Sequence, residues 1–164
     1  MHAEARSFVA RVLASLPPRQ SVVEIGSRNI NGTVRDLFDC QYVGLDLMPG
    51  PGVDLVLDAG EYEPEGEVDT VVCCEVLEHT EDAAGIVGAA HRMLAPGGVL
   101  ILTCATEPRY PHSAIDGGAL RPGEFYRNVS SRELRDWLAN FESVEIETTM
   151  PGDIYAVAMK GGTA

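Results

Sequence analysis

The pattern of apolar positions predicts a helix at the N-terminus. Apolar residues recur every three or four positions over residues 3–16, and Pro17-Pro18 ends the pattern. We therefore predict that residues 1–18 contain an N-terminal helix. The apolar positions are Ala5, Phe8, Val9, Val12, Leu13 and Leu16.

Short apolar runs follow, and each of them predicts a buried strand. These runs do not alternate with polar residues, which indicates a parallel sheet that is covered on both faces. The connections over residues 47–52 and 59–67 are too short for full crossover helices, so we expect a trimmed fold there. The predicted strands are residues 21–26, 42–46, 53–58, 68–74 and 99–104.

Three segments between or after these strands carry helical periodicity or helix-capping residues. Their predicted bounds are residues 33–39, then Thr80 or Asp82 to Leu94 (stopped by Pro96-Gly97-Gly98), and Ser130 or Ser131 to about Asn140.

Two further strands, at residues 141–148 and 154–160, flank Met150-Pro151-Gly152 and predict an antiparallel hairpin. Together the elements predict an α/β fold with a doubly wound, Rossmann-like, mostly parallel sheet of about seven strands. The length of 164 residues fits a single domain spanning residues 1–164.

Charge is distributed unevenly along the chain, which has a formal net charge of −13. Residues 24–82 hold 15 acidic residues and only two basic ones, whereas the rest of the chain is balanced. A strongly acidic protein repels polyanions, so we expect neither nucleic acid nor an anionic membrane as a partner. No apolar run approaches the length of a membrane span or forms a signal peptide.

The four cysteines contain no CxxC pair and no zinc-ligand spacing. Cys73 and Cys74 lie within an apolar run, where a free cysteine behaves as a small buried hydrophobe. We therefore expect a reduced, cytoplasmic protein.

Ligands of doubly wound sheets bind beyond the carboxyl ends of the strands, where the strand order reverses. Four of the predicted strand ends carry a carboxylate, at Glu24, Asp46, Asp58 and Glu75. These acids favour a ligand with hydroxyls, amines or positive charge, and they disfavour a phosphate-rich one. The GxGxxG fingerprint of a nicotinamide dehydrogenase and the Walker motif are both missing.

Five segments in register carry a resemblance to a known family. VVEIGS, YVGLD, DLVLDA, VDTVVCCEVLEH and MLAPGGVLILT occur in this order over about residues 20–140. They resemble the successive motifs of class I S-adenosylmethionine-dependent methyltransferases, most closely the small "type 11" group. The resemblance implies S-adenosylmethionine as cofactor and S-adenosylhomocysteine as product.

The resemblance also implies where the cofactor binds. Asp46 would accept hydrogen bonds from the ribose hydroxyls, and Asp58 would take the adenine amino group. The family's first loop reads ExGxGxG, whereas Arg28 and Ile30 occupy the second and third glycine positions here, so the path of this loop stays open. The implied cofactor residues are Glu24, Gly26, Ser27, Gly32, Asp46, Leu47, Asp58, Ala59, Cys74 and Glu75.

Methyl transfer to an oxygen or nitrogen atom can require a base, and His79 and His112 are the candidate catalytic residues. His79 also has a simpler interpretation, as a residue that packs against the start of the following helix. The simpler interpretation of His112 is a solvated loop residue. His2 and His91 are expected to take no part.

The string Glu75-x-x-Glu78-His79 resembles the metal-binding ExxEH of small-RNA 2′-O-methyltransferases, with His112 as a further candidate ligand. The same string is common in methyltransferases that need no metal, and we expect no metal here.

Residues 105–129 are rich in Pro and Gly and follow the fifth strand, where the family places its substrate contacts. Arg109, Tyr110 and Phe125 lie in this predicted substrate loop. The leading hypothesis is a methyltransferase that acts on an O, N or C nucleophile of a small molecule. The alternative is a non-catalytic module of the same fold, acting as a scaffold or partner subunit. Closure of the site depends on this loop or on a second copy of the chain, so a homodimer is possible.

Overall fold

The computed structural model describes residues 2–150 and 152–162. Two parts of the predictions lie outside the described residues: the ends of the predicted domain, at Met1 and residues 163–164, and Pro151 of the predicted hairpin turn. The helices are α1 (Ala3–Ser15), α2 (Ala83–Met93) and α3 (Ser131–Trp137). The strands are β1 (Ser21–Ile25), β2 (Gln41–Asp46), β3 (Leu55–Val56), β4 (Val68–Cys74), β5 (Leu94–Ala105), β6 (Ser143–Thr149) and β7 (Asp153–Met159).

The seven strands form one mixed sheet in the order β3-β2-β1-β4-β5-β7-β6. Strands β1 to β5 pair in parallel, and β7 pairs antiparallel to both β5 and β6. The predicted fold class, with its closing antiparallel hairpin, is confirmed. The strand order reverses between β1 and β4, which is where a doubly wound sheet binds its ligands.

Helices cover both faces of the sheet and create two apolar clusters. Phe8, Val9 and Val12 of α1 pack on one face, together with Val72 and Ile101. Successive residues of a strand point to opposite faces of the sheet. The residues next to Val72 and Ile101 in the sequence therefore pack with α2 and α3 on the other face. That second cluster includes Val71, Cys73, Leu100, Leu102, Val87, Ala90, Met93 and Leu134.

The helix predicted over residues 33–39 is wrong in extent, because only a three-residue 3₁₀ turn forms at Arg35–Leu37. Seven residues cannot offset the cost of nucleating a helix without stronger packing. The Arg35 guanidinium instead pairs with Asp54 at 2.8 Å, which ties this segment to the β2–β3 connection.

The third strand is also shorter than predicted, since β3 contains only two residues. Asp54 lies immediately before it and uses its carboxylate to accept a hydrogen bond from the Gly44 N–H at 2.8 Å. A side chain thus takes the place of a backbone carbonyl at this edge of the sheet.

Pro96-Gly97-Gly98 does not separate α2 from its strand as predicted. The helix ends at Met93, and Leu94 is already extended and paired with Val68, so that the turn residues lie within β5. Proline disfavours helical backbone in the residue before it, here Ala95, so the helix cannot continue to Pro96. The connections at 47–52 and 59–67 contain no α-helix, as expected.

No helix among residues 2–150 and 152–162 is long and apolar enough to cross a bilayer.

Ser130 and Glu133 form a reciprocal capping box at the start of α3. The Ser130 hydroxyl accepts from the Glu133 N–H at 3.2 Å, and the Glu133 carboxylate accepts from the Ser130 N–H at 3.1 Å. The hydrogen bonds from Ser130, followed by the Arg127 guanidinium, lower the pKa of Glu133 to about 2.

We expect Ser130→Ala to lower the free energy of unfolding by about 1 kcal/mol, because a backbone N–H at the helix start loses its acceptor. Urea denaturation followed by circular dichroism measures this loss. Ser131→Ala is the matched control, since Ser131 makes only an exposed contact with Thr148. Equal losses in the two variants would show that the capping box does not stabilise α3.

Candidate active site

A cavity of about 960 Å³ opens at the carboxyl ends of the parallel strands. The segments that follow β1, β2, β3 and β4 form one side of it, and the segment after β5 forms the other. Every residue that the sequence suggested as a cofactor contact or as a catalytic base lines this cavity. These residues are Glu24, Gly26, Ser27, Gly32, Asp46, Leu47, Asp58, Ala59, Cys74, Glu75, His79 and His112.

Glu24 lies near the end of β1 and is almost fully buried. The Tyr42 hydroxyl donates a hydrogen bond to its carboxylate at 2.8 Å, and the Arg35 guanidinium stacks over the Tyr42 ring. Burial raises the pKa of Glu24 to about 7, although the Tyr42 hydrogen bond opposes the shift. This acid is therefore poised between its neutral and charged forms near neutral pH.

Gly26 begins the loop after β1 and has to be glycine. Its φ is +76°, and a Cβ atom here would lie 2.3 Å from the Cγ2 atom of Val76. The Val76 side chain, from the segment after β4, therefore packs directly against the Gly26 backbone.

The loop continues without the usual second and third glycines because it lies against residues 50–52. The Asn29 N–H donates to the Pro51 carbonyl at 2.8 Å, and the Gly32 N–H donates to the Asn29 side chain at 2.9 Å. A Cβ atom on Gly52 would lie 2.6 Å from the Ser27 carbonyl oxygen. Sequence reasoning missed this role of Gly52, because nothing local marks which loop a glycine contacts.

Asp46 ends β2 and is held by two backbone groups. One carboxylate oxygen accepts from the Arg28 N–H at 3.1 Å, and the other accepts from the Met48 N–H at 2.9 Å. Each oxygen keeps a second lone pair for a ligand. Leu47 and Met48 follow as largely exposed apolar side chains at the mouth of the cavity.

Asp58 caps a 3₁₀ turn at Ala59–Glu61, where its carboxylate accepts from the Gly60 N–H at 2.7 Å. Ala59 is buried beside it. The turn fixes the carboxylate and the following backbone side by side on the cavity wall.

Glu75 follows β4 with a φ of +58°, a conformation that costs a residue with a side chain about 1–3 kcal/mol. The Thr103 hydroxyl donates to one carboxylate oxygen at 2.8 Å, and His2 lies 3.2 Å from the other. Burial alone would raise the pKa of Glu75, but His2 and Thr103 hold it below its usual value.

His2 was expected to take no part in the site, and this expectation is wrong. It lines the cavity, and the hydrogen bond with Glu75 raises its pKa. Asp153 lies 3.7 Å from it and accepts from the Arg109 guanidinium at 2.6 Å. Sequence reasoning missed His2 and Asp153 because they meet only through the packing of α1 and β7 on β5.

His79, His112 and Tyr126 form an aromatic group on the far side of the cavity. Their ring centroids lie 4.9–5.4 Å apart in edge-to-face contacts. Burial, followed by the proximity of His112, lowers the pKa of His79 to about 4, so its imidazole is neutral at pH 7. His91 lies outside the cavity, against the ring of Phe141.

The predicted substrate loop, residues 105–129, has no helix or strand after Ala105 and contributes the outer wall. Arg109 faces the cavity, whereas Arg121 pairs with Asp116 and Arg127 pairs with Glu133. All three arginines have a carboxylate partner, since Arg109 pairs with Asp153. Exposed apolar side chains surround the entrance, namely Ile30, Leu47, Met48, Tyr110, Ile115 and Met150.

Curated relatives match part of the chain. A ubiquinone biosynthesis O-methyltransferase from Psychrobacter cryohalolentis is 35% identical over 82 residues, which is 50% of this chain and 30% of that protein. The match therefore spans less than a third of the relative's length.

Solved structures share the fold. The N-methyltransferase NodS from Bradyrhizobium japonicum, in complex with S-adenosyl-L-homocysteine, has a TM-score of 0.68 at 16% identity and covers 96% of this chain and 85% of its own. The 1,6-didemethyltoxoflavin-N1-methyltransferase of Burkholderia thailandensis has a TM-score of 0.69 at 17% identity, with coverage of 97% and 77%.

A family model described as a methyltransferase domain matches residues 1–144. This match covers most of the 164 residues, including every strand end that forms the cavity. The chain therefore belongs to this methyltransferase domain family.

Proposed function

We propose that the protein is an S-adenosylmethionine-dependent methyltransferase that acts on an O, N or C nucleophile of a small molecule. The observation that carries this proposal is the set of carboxylates at successive strand ends, all facing one cavity. Family membership and relatives named as O- and N-methyltransferases support it.

The chemistry of the cavity suits this cofactor. S-adenosylmethionine carries a sulfonium cation, an ammonium group and ribose hydroxyls, and it has no phosphate. Acidic side chains therefore attract and hydrogen-bond it, whereas a nucleotide phosphate at the same positions would be repelled.

We assign the cofactor to the side of the cavity formed after β1, β2 and β3. Asp46, with both oxygens already oriented by backbone N–H groups, takes the ribose hydroxyls. Asp58 and Ala59 take the adenine ring, which packs beside Leu47. Glu24, Gly26, Ser27 and Gly32 hold the methionine part, and Cys74 and Glu75 line the cavity where the methyl group is presented.

The acceptor occupies the opposite side, between Glu75, His79 and the loop after β5. A cavity of about 960 Å³ lies at the upper end of ligand pockets, which leaves room for an acceptor beside the cofactor. Exposed Tyr110, Ile115 and Met150 at the entrance favour an acceptor with an apolar body. His79 and His112 remain candidate bases.

The four unpaired cysteines agree with the expected reducing cytoplasm.

S-adenosylhomocysteine should raise the melting temperature of the protein, because a ligand that binds only the folded state adds about 2.7 kcal/mol at 100 times its Kd. We expect Asp46→Ala to abolish this increase, since the ribose loses its acceptor. Differential scanning fluorimetry measures both effects.

Glu63→Ala is the matched control, because it removes one exposed acid of the same acidic segment outside the cavity. Circular dichroism establishes that Asp46→Ala is folded. An unchanged increase in a folded Asp46→Ala variant would contradict the assignment of the ribose site. No increase in the unaltered protein would favour the non-catalytic scaffold.

Cofactor affinity should depend on pH through Glu24, whose pKa is about 7. Only the carboxylate form attracts the ammonium group, so we expect S-adenosylhomocysteine to bind more weakly as the pH falls from 8 to 6. Glu24→Gln should remove most of this dependence and bind weakly throughout, as measured by isothermal titration calorimetry.

The same substitution should stabilise the ligand-free protein at high pH. The unfolded chain ionises Glu24 above its ordinary pKa of 4.5, whereas the folded protein resists ionisation up to about 7. Stability is therefore lost as the pH rises from 4.5 to 7, by up to about 3 kcal/mol above pH 7. Equal stability of Glu24→Gln and the unaltered protein at pH 8 would contradict this burial cost.

A further inference from the structure

Four side chains from four separate segments of the chain meet at one corner of the cavity. His2 precedes α1, Glu75 follows β4, Arg109 belongs to the loop after β5, and Asp153 begins β7. The Nε2 atom of His2 lies 3.2 Å from the Glu75 carboxylate and 3.7 Å from the Asp153 carboxylate. His2, Glu75 and Arg109 line the cavity, whereas Asp153 is buried. This cluster therefore joins the cavity wall to the start of α1.

Glu75 is held in an unfavourable backbone conformation. Its φ of +58° persists only where neighbouring groups hold the residue in place. The Glu75 N–H donates to the Thr103 carbonyl at 2.9 Å, and the Thr103 hydroxyl donates to one carboxylate oxygen at 2.8 Å. Thr103 is a buried residue of β5, so it holds one side of Glu75 from within the sheet. The other carboxylate oxygen lies next to His2.

His2 is the basic neighbour of Glu75. No lysine or arginine within residues 2–150 and 152–162 forms an ion pair with Glu75. Arg109 instead donates to Asp153 at 2.6 Å and lies 3.5 Å from the His2 ring, and the Asn128 side chain donates to the Arg109 carbonyl at 2.9 Å. The guanidinium is thus committed to Asp153, and His2 is left as the partner of the second Glu75 oxygen.

The two ring nitrogens of His2 have separate neighbours. Nε2 lies next to Glu75 and Asp153, so with a proton on this atom the ring donates to Glu75. Nδ1 lies 3.2 Å from the carboxylate of Glu4, which is exposed. An exposed pair contributes little, whereas a hydrogen bond to a buried carboxylate is one of the stronger kinds. The effect of His2 on the site should therefore depend on Nε2.

We propose that His2 is a positioning residue, which fixes the Glu75 carboxylate in one orientation before any ligand binds. The inference rests on the proposed function, in which Glu75 lines the cavity where the methyl group is presented. A carboxylate that is already fixed does not have to be ordered when the cofactor binds. His2 thus strengthens cofactor binding through Glu75.

Two substitutions separate the ring nitrogens of His2. Glutamine places its amide N–H group near the position of Nε2, whereas asparagine, one methylene shorter, places it near that of Nδ1. We expect His2→Ala and His2→Asn to weaken S-adenosylhomocysteine binding about three- to tenfold, which is the cost of ordering one side chain. His2→Gln should bind like the unaltered protein. Isothermal titration calorimetry measures these affinities.

A double-mutant cycle tests whether His2 acts through Glu75. Glu75→Ala removes the carboxylate and keeps a residue with a Cβ atom, and in this background His2→Ala should cause no further loss of affinity. If Glu75→Ala abolishes binding, the comparison of His2→Gln with His2→Asn decides. Glu4→Ala is the control for the other ring nitrogen and should leave S-adenosylhomocysteine binding unchanged, because Glu4 is exposed.

Equal affinity of His2→Ala and the unaltered protein would overturn the positioning role and leave the proposed function intact. An additive loss in the Glu75→Ala background, or a His2→Gln variant as weak as His2→Ala, would also overturn this role. Circular dichroism establishes that each variant is folded, and His2→Asn replaces His2→Ala if the latter is not. No binding by the unaltered protein would overturn the proposed function itself, and the positioning role with it.

Discussion

The reversal of strand order between β1 and β4 creates the space on which the site depends. After β1, the N–H groups of Gly26 and Ser27 both donate to the Leu45 carbonyl of β2, at 2.9 and 3.0 Å. After β4, the N–H of Glu75 donates to the Thr103 carbonyl of β5 at 2.9 Å. The segment after β1 is thus held towards β2, and the segment after β4 is held towards β5. The gap between the two segments becomes the floor of the cavity.

Carboxylates gather around this gap, and the structure stabilises each of them differently. Asp46 has two backbone donors and stays accessible, which suits a ligand with hydroxyl groups. Glu24 has one hydroxyl donor and heavy burial, which make it responsive to pH. Glu78 has one backbone donor and complete burial, which leaves it short of a counter-charge. The hydrogen-bond partners and burial of each acid, more than the number of acids, determine what each one can do in the site.

The strand ends were predictable from sequence because each lies at the end of its own apolar run, as Asp46 does at the end of YVGLD. The fold class follows from the same runs, since apolar strands between helices specify a covered parallel sheet. The position of His2 at the site was not predictable, because Glu75 and Asp153, which it meets there, lie far from it in the sequence. The path of the first loop was equally hidden, since it depends on the absence of a side chain at Gly52.

The loop after β5 is anchored at both ends despite lacking regular structure. At the start of the loop the Thr106 N–H donates to the backbone carbonyl of Gly152. Near its end the N–H groups of Arg127 and Val129 donate to the backbone carbonyls of Glu78 and Ala105, respectively. Its tip closes on itself through the Ser113 N–H and the Gly118 carbonyl at 2.9 Å. The anchors tie the loop to the same turn that carries Glu78, whereas the tip holds exposed apolar side chains. Substitutions at the tip can therefore alter which acceptor enters the cavity without disturbing the groups beneath it.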